Sequence, residues 1–240
     1  MQEIERSGRS LSQGRVFAGP LHDLSTPRSR DLAQKVLRNL RDYGWRITLQ
    51  KILAHLVRGI YFRQVYRIYR IRLDTTRAMD TVGGQGFTFQ ILTPQDTELI
   101  AQVEDIAEWL RGRIKQKLAS GQLCLVALEG KKLAGFNLVN LKEASMQLVN
   151  LRVKLRSGAA WSEHIAVRKE FRRSGLGGQL RQRMFEILRS RGIRRFYGGT
   201  LPSNEAALRL TRSVGFQEIG DVQYEKLLSR ENWHFKRIQR

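Results

Sequence analysis

The sequence predicts an α/β fold whose strands mostly follow one another along the chain, preceded by a basic helical extension. Three observations carry this reading. "LCLVAL" and "KLAGFNLVNL" are short apolar runs separated by Gly130, as in a hairpin of paired strands. Leu176, Leu180, Met184 and Ile187 or Leu188 recur at helical spacing, beginning inside the glycine-rich turn "RRSGLGG". Leu32, Val36, Leu37 and Leu40, then Ile47, Ile52, Leu53, Leu56, Val57 and Ile60, form two apolar stripes among arginines and lysines near the N-terminus.

Taken in order, residues 1–30 are rich in Ser, Gly, Arg and Pro without periodicity and read as a mobile basic tail. Residues 31–80 read as a basic amphipathic helical extension ending in "VYRIYRIRLD", whose Val, Ile and Tyr content favours a strand. "TVGGQG" (81–86) is a break and sets the domain boundary. "FTFQIL" is a strand, and Pro94 and Asp96 open a long helix through Ile106, Leu110 and Ile114. "LCLVAL" is apolar on both faces and therefore central, and "MQLVNLRVKL" extends the hairpin region. "WSEHIAV" is a strand feeding the glycine turn, and the helix after it stops at Gly192. "RRFYGGT" is another strand; Ser203 caps a helix that runs to Val214 and closes at Gly215. "FQEIGDVQYEKL" supplies the last strand or strand pair, and residues 231–240 read as a C-terminal tail.

The charge is unusual. Lys and Arg number 43 against 22 Asp and Glu, a formal net charge of +21. Such a field attracts anionic partners, whether nucleic acid, membrane surface or phosphorylated ligand. The single Cys124 excludes an intramolecular disulfide and reads as a buried, inert thiol. The four histidines are scattered, with no pair at ligand spacing, so no metal site is expected. No stretch approaches the roughly 20 apolar residues of a membrane span, and a cytoplasmic location is expected, peripheral at the inner membrane face if the basic helices bind lipid.

The glycine turn carries chemistry. A glycine-rich turn opening a helix presents unpaired N–H groups and the positive end of the helix dipole, a ready site for phosphate. Val167 ends the strand before it, and Arg172, Gly175 and Gly177 follow at the spacing Arg-x-x-Gly-x-Gly. Farther on, "NEAALRLTRSVGF" places Asn204, Ala207, Leu210, Gly215 and Phe216 in a second pattern. Together these resemble the two motifs of the GNAT superfamily of acyl-CoA-dependent N-acyltransferases, over about Phe87 to Leu228, within a domain taken as 87–230.

The resemblance implies a mostly antiparallel sheet flanked by helices, acetyl-CoA as co-substrate, and an amine acceptor attacking directly in a ternary complex. It implies that the N–H groups of Arg173, Ser174, Gly175, Leu176, Gly177 and Gly178 cradle the coenzyme pyrophosphate, with Arg172 and Arg173 adding charge. It also implies that the backbone of Ile165, Ala166 and Val167 flanks the pantetheine arm and polarises the thioester, and that Asn204 contacts the arm. An amine must lose a proton, so a base is needed; Glu163 is the first candidate and His164 the second, on opposite faces if alternation holds. Thr211 stands where many relatives carry the tyrosine that protonates the thiolate, and Tyr197 and Tyr224 are substitutes.

Two other readings attach to the N-terminal region. "YFRQVYRIYRIR" interleaves aromatic and arginine residues, as a nucleic-acid-stacking surface does. Residues 31–80 also suit an anionic membrane surface, or packing on the catalytic domain.

Overall fold

The computed structural model describes residues 61–75 and 86–238. The expected tail, the two amphipathic stripes and the break at 81–85 lie outside the described residues.

The larger of two compact units covers 66–221 and 237–240. Strand β1 (Tyr61–Arg72) enters it from residue 66, followed by β2 (Thr88–Ile91), helix α1 (Thr97–Ile106), α2 (Ile114–Ala119), β3 (Leu123–Glu129) and β4 (Lys132–Asn140). A small hairpin of β5 (Glu143–Met146) and β6 (Leu151–Lys154) leads to β7 (Ala159–Val167), α3 (Leu176–Ser190), β8 (Arg195–Thr200), α4 (Glu205–Ser213) and the start of β9 (Gln217–Leu227). The sheet runs β9-β1-β8-β7-β4-β3-β2; the pairs β1–β8, β7–β4, β4–β3 and β3–β2 are antiparallel and β7–β8 is parallel. It is the mixed, mostly antiparallel sheet flanked by helices that the sequence resemblance implied.

Two apolar layers sandwich it. Leu176, Leu180, Met184, Phe185 and Leu188 of α3 and Leu208 of α4 pack on one face, with Phe196 and Phe216. Ile100 and Val103 of α1 and Ile114 and Leu118 of α2 pack on the other, against Val126, Phe136 and Leu138. β3 is buried along all but its last residue, as a central strand must be.

Four details differ from the sequence reading. The long helix is broken: α1 stops at Ile106, a single 3-10 turn follows, and α2 begins at Ile114. Gly112 at φ +71 turns the chain, its N–H donating to Glu104 Oε1 at 2.9 Å. α4 is capped by Asn204 rather than Ser203, Asn204 Oδ1 accepting from Ala207 N at 3.1 Å. "MQLVNLRVKL" does not prolong the β3–β4 pair; its residues turn through Asn150 at φ +46 and belong to the separate β5–β6 hairpin.

The fourth detail matters most. β1, assigned by sequence to the extension, pairs antiparallel with β8 from Arg67↔Thr200 to Arg72↔Arg195. Tyr66, Ile68, Tyr69 and Ile71 are buried, so the Tyr66 and Tyr69 rings are core residues and cannot stack on bases.

The smaller unit has residues 61–65 and 222–236 among those described. Its last strand, β10 (Arg230–Arg237), runs where the sequence suggested a tail. Tyr224 donates to Glu231 Oε1 at 2.8 Å and packs on Phe62 and Trp233. Among the described residues, no helix is long and apolar enough to cross a membrane.

Candidate active site

β7 and β8 begin side by side and then part. Their register runs Ala159↔Arg195, Ala160↔Phe196, Trp161↔Tyr197 and stops. From Ser162 and Gly198 onward a seam opens between two parallel strands. On its far side β7 stays paired with β4, Phe136↔Ala166 and Gly135↔Val167 among the pairs, and Arg168 N donates to Ala134 O at 2.8 Å. In an antiparallel ladder, bonded and non-bonded pairs alternate. The N–H groups of Ile165 and Val167 therefore point away from β4, into the seam.

The glycine turn lies at the end of that strand. Arg173 and Gly175 both take left-handed backbone, φ +68 and φ +80. The N–H groups of Arg173, Ser174, Gly175, Leu176 and Gly177 find no acceptor among the described residues. Gly178, expected to join them, instead donates to Gly175 O at 2.9 Å. Arg172 turns back, Nε donating to Val167 O at 3.3 Å, and Ser174 Oγ donates to Phe171 O at 2.7 Å. The result is five N–H groups without an acceptor at the positive end of the 15-residue α3, an arrangement that can act as an anion cradle.

A bulge shapes the other face. The β4–β7 register reads Leu138↔His164 and then Val139↔Ser162, which leaves Glu163 as the extra residue. Glu163 turns toward α2. Its side chain is only 2% exposed, with Lys117 Nζ at 3.4 Å from Oε2 and Asn140 Nδ2 donating to Oε1 at 3.3 Å. His164 also faces that side, its ring against Trp109 and Phe136.

The family model described as Acetyltransferase (GNAT) family matches residues 87–216, more than half of the chain. The chain belongs to the GNAT acetyltransferase family.

Solved structures carry the same fold. The glucosamine N-acetyltransferase region of a fungal multi-domain β-N-acetylglucosaminidase is 14% identical at TM-score 0.55, covering 72% of this chain and 22% of that one. A tandem GNAT protein from the clavulanic acid biosynthesis pathway is 14% identical at TM-score 0.53, covering 70% and 55%. A GCN5-related N-acetyltransferase from Sphaerobacter thermophilus is 19% identical at TM-score 0.50, covering 75% and 56%. The comparison with curated proteins finds no match.

Set in a GNAT chain, the remaining candidates separate. Thr211 is buried on α4, and its hydroxyl donates to Ala207 O, one turn back, at 2.7 Å. That donor is engaged within the helix. Asn204 is likewise engaged, as the α4 cap. Gly177 serves packing: a Cβ there would lie 3.2 Å from Leu210 Cδ2, whereas a Cβ on Gly175 would meet nothing within 4 Å. Tyr224 is tied to Glu231, and Tyr197 is buried. Burial, with the Arg181 charge second, pushes His164 down to about 4, so the imidazole is neutral and a weak base at neutral pH. Burial pushes the Cys124 thiol up to about 12, an inert group in β3.

Sequence reasoning missed Lys117, Asn140, Ser162 and Arg181. The two ligands of Glu163 come from α2 and from the end of β4, and nothing in their local sequence distinguishes them from surface residues.

Proposed function

We propose that this acetyltransferase moves an acetyl group from acetyl-CoA to a primary amine by direct attack in a ternary complex. The observation that carries the reading is the continuity of the five-donor turn with the open β7–β8 seam. The turn offers N–H groups for a pyrophosphate, and the seam offers a groove with N–H groups at Ile165 and Val167 for an amide-bearing arm. From Ser162 to Val167 the strand advances five residues, about 16 Å at ~3.3 Å each.

The protein's own groups then divide the work. The seam donors hold the arm and stabilise the oxyanion that forms on the thioester carbonyl. Glu163, on the opposite face, takes the proton that the ammonium must lose before attack, directly or through water. The 3.4 Å contact of Lys117 Nζ with Oε2 supports this, because it shows that the carboxylate can take an ammonium as its partner. His164, packed on Trp109 and Phe136, lies on the same side. Acetyl-CoA supplies the activated acyl group, and no metal chemistry is invoked.

The acceptor is a small amine, an aminosugar or a protein amino group; the net charge of +21 favours one carried on an anionic molecule or surface. A panel of primary amines with acetyl-CoA, read by free thiol release, tests the reading. Amine-dependent release supports it, and no release above hydrolysis across the panel overturns it.

A further inference from the structure

Arg181 does something the helix pattern does not suggest. It sits on the second turn of α3, beside the apolar stripe, and turns inward: the residue is 7% exposed. Its guanidinium lies over the rings of Phe196 and Phe216, at 5.6 and 5.7 Å from their centroids. Nη1 donates to Ser162 Oγ at 2.7 Å, and buried Nε has no partner. No carboxylate pairs with it among the described residues. Burial brings the guanidinium down to about 10, so it remains a cation at neutral pH. A buried charge left without a counter-charge is unfavourable, and an anion arriving beside it would relieve that.

The place of arrival follows from the register. Ser162 and Gly198 are the first residues past the last β7–β8 pair, and a Cβ on Gly198 would stand 3.4 Å from Ser162 Cβ. Phe196, under the guanidinium, lies inside the paired stretch. Arg181 therefore marks the closed end of the seam, on the α3 face, while the anion cradle marks its open end. An arm anchored by phosphate at the turn and laid along the seam brings its terminal sulfur to Arg181.

We infer that Arg181 receives the coenzyme thiolate as it departs. This rests on the placement of the coenzyme arm given above. The amine nitrogen, relieved of one proton by Glu163, adds to the thioester carbonyl carbon, and its second proton passes to water. The tetrahedral intermediate then collapses: the carbon–oxygen double bond re-forms, the carbon–sulfur bond breaks and its electron pair goes to sulfur. The thiolate is held by the guanidinium and protonated by solvent on release. A thiol of pKa roughly 8.5 beside a fixed cation ionises readily, so the engaged hydroxyl of Thr211 is not needed as an acid.

The other titratable groups near the seam's closed end are Glu163 and His164 on β7, Lys117 on α2 beside Glu163, Tyr66 and Tyr69 on β1 opposite the Gly198–Gly199 stretch, and Tyr197 on β8 opposite Trp161. Lys117 is a cation, but its ammonium is paired with Glu163 on the α2 side. His164 is neutral, and burial holds the Tyr69 phenol well above its ordinary range.

The test uses the full chain with coenzyme A and with desulfo-coenzyme A, which lacks the sulfur. Ultraviolet thiolate absorbance is followed from about pH 5 to about pH 10, and binding of both compounds by calorimetry. The bound thiol should titrate at least about one unit below the free thiol, so the preference for coenzyme A over the desulfo compound should be small near about pH 6 and grow several-fold by about pH 9. Arg181→Met should lose both effects while still binding desulfo-coenzyme A, and Arg181→Lys should keep part of them. If Arg181→Met does not fold, Ser162→Ala, which frees one end of the guanidinium, should shrink the thiol shift.

An unshifted thiol in wild-type protein that binds both compounds equally overturns the inference and leaves the proposed function standing. So does a marked preference for succinyl-CoA over acetyl-CoA with an unshifted thiol, which would make Arg181 a receptor for a carboxylate on the acyl group. Failure to bind either coenzyme removes the proposed function and the inference with it.

Discussion

The phenol of Tyr66 donates a 2.7 Å hydrogen bond to the carbonyl of Gly199, 133 residues away. The ring lies where a side chain on Gly199 would be, since a Cβ there would fall onto it. Burial, the nearby Tyr69 and the Glu163 charge all push the Tyr66 phenol up, keeping it a neutral donor. The contact fastens a strand from the N-terminal region to the strand that forms one wall of the seam.

Removal of residues 1–80 therefore takes away a paired strand, not only an appendage. The truncated protein should lose its cooperative melt, as scanning calorimetry would show. Gly199→Ala should cost about 1–3 kcal/mol by overpacking, and Tyr66→Ala in the same chain should recover part of that cost. Retention of a sharp wild-type melt in the truncation would show that β1 is dispensable.

The two motif glycines should fail for different reasons. Gly175→Val places a branched side chain at φ +80, a left-handed conformation that costs roughly 1–2 kcal/mol for an L residue, and it distorts the N–H cradle. Gly177→Val drives a side chain into Leu210 on α4. Leu210→Ala should restore the melting temperature of the Gly177 variant and leave the Gly175 variant unrescued. Equal rescue of both would refute the separation.

Thr211→Val removes a hydroxyl that is bonded to Ala207 O. General acids contribute about 10²–10⁴-fold, so a change in kcat below about tenfold is expected. A loss of a hundredfold or more in steady-state assays would return Thr211 to the chemistry.

Glu163→Gln should lower kcat by at least about 10²-fold near neutral pH. The deficit should narrow as pH rises toward the ordinary amine range and the acceptor supplies its own free base. A deficit independent of pH would make the carboxylate a structural partner of Lys117 and Asn140.

His164 gives a stability prediction with a defined sign. Its folded-state value of about 4 lies below its ordinary value of about 6.5. The unfolded chain therefore binds the proton first on acidification, and this contribution is present above about pH 6.5 and lost as pH falls toward 4. His164→Leu should flatten the fall in melting temperature over that window. An unchanged slope would mean that other groups govern it.

The strands, the glycine turn and the α4 motif were legible because each is written in a few adjacent residues. Short apolar runs and a glycine-rich turn are local properties, and they set β3, β4, β7 and the N-terminus of α3 without reference to the rest of the chain. The roles of Glu163, Arg181 and β1 were not local. Glu163 faces α2 because two strands slip by one residue at Leu138 and Val139, a property of the pair that neither strand states alone. Arg181 is indistinguishable in sequence from its neighbours Arg183 and Arg189, and only the position of Ser162 and the rings of Phe196 and Phe216 turn it inward. β1 looked like the end of an extension because its partner, β8, lies more than 100 residues downstream; strand pairing across such a distance is decided by which sheet edge remains open once the intervening chain has folded.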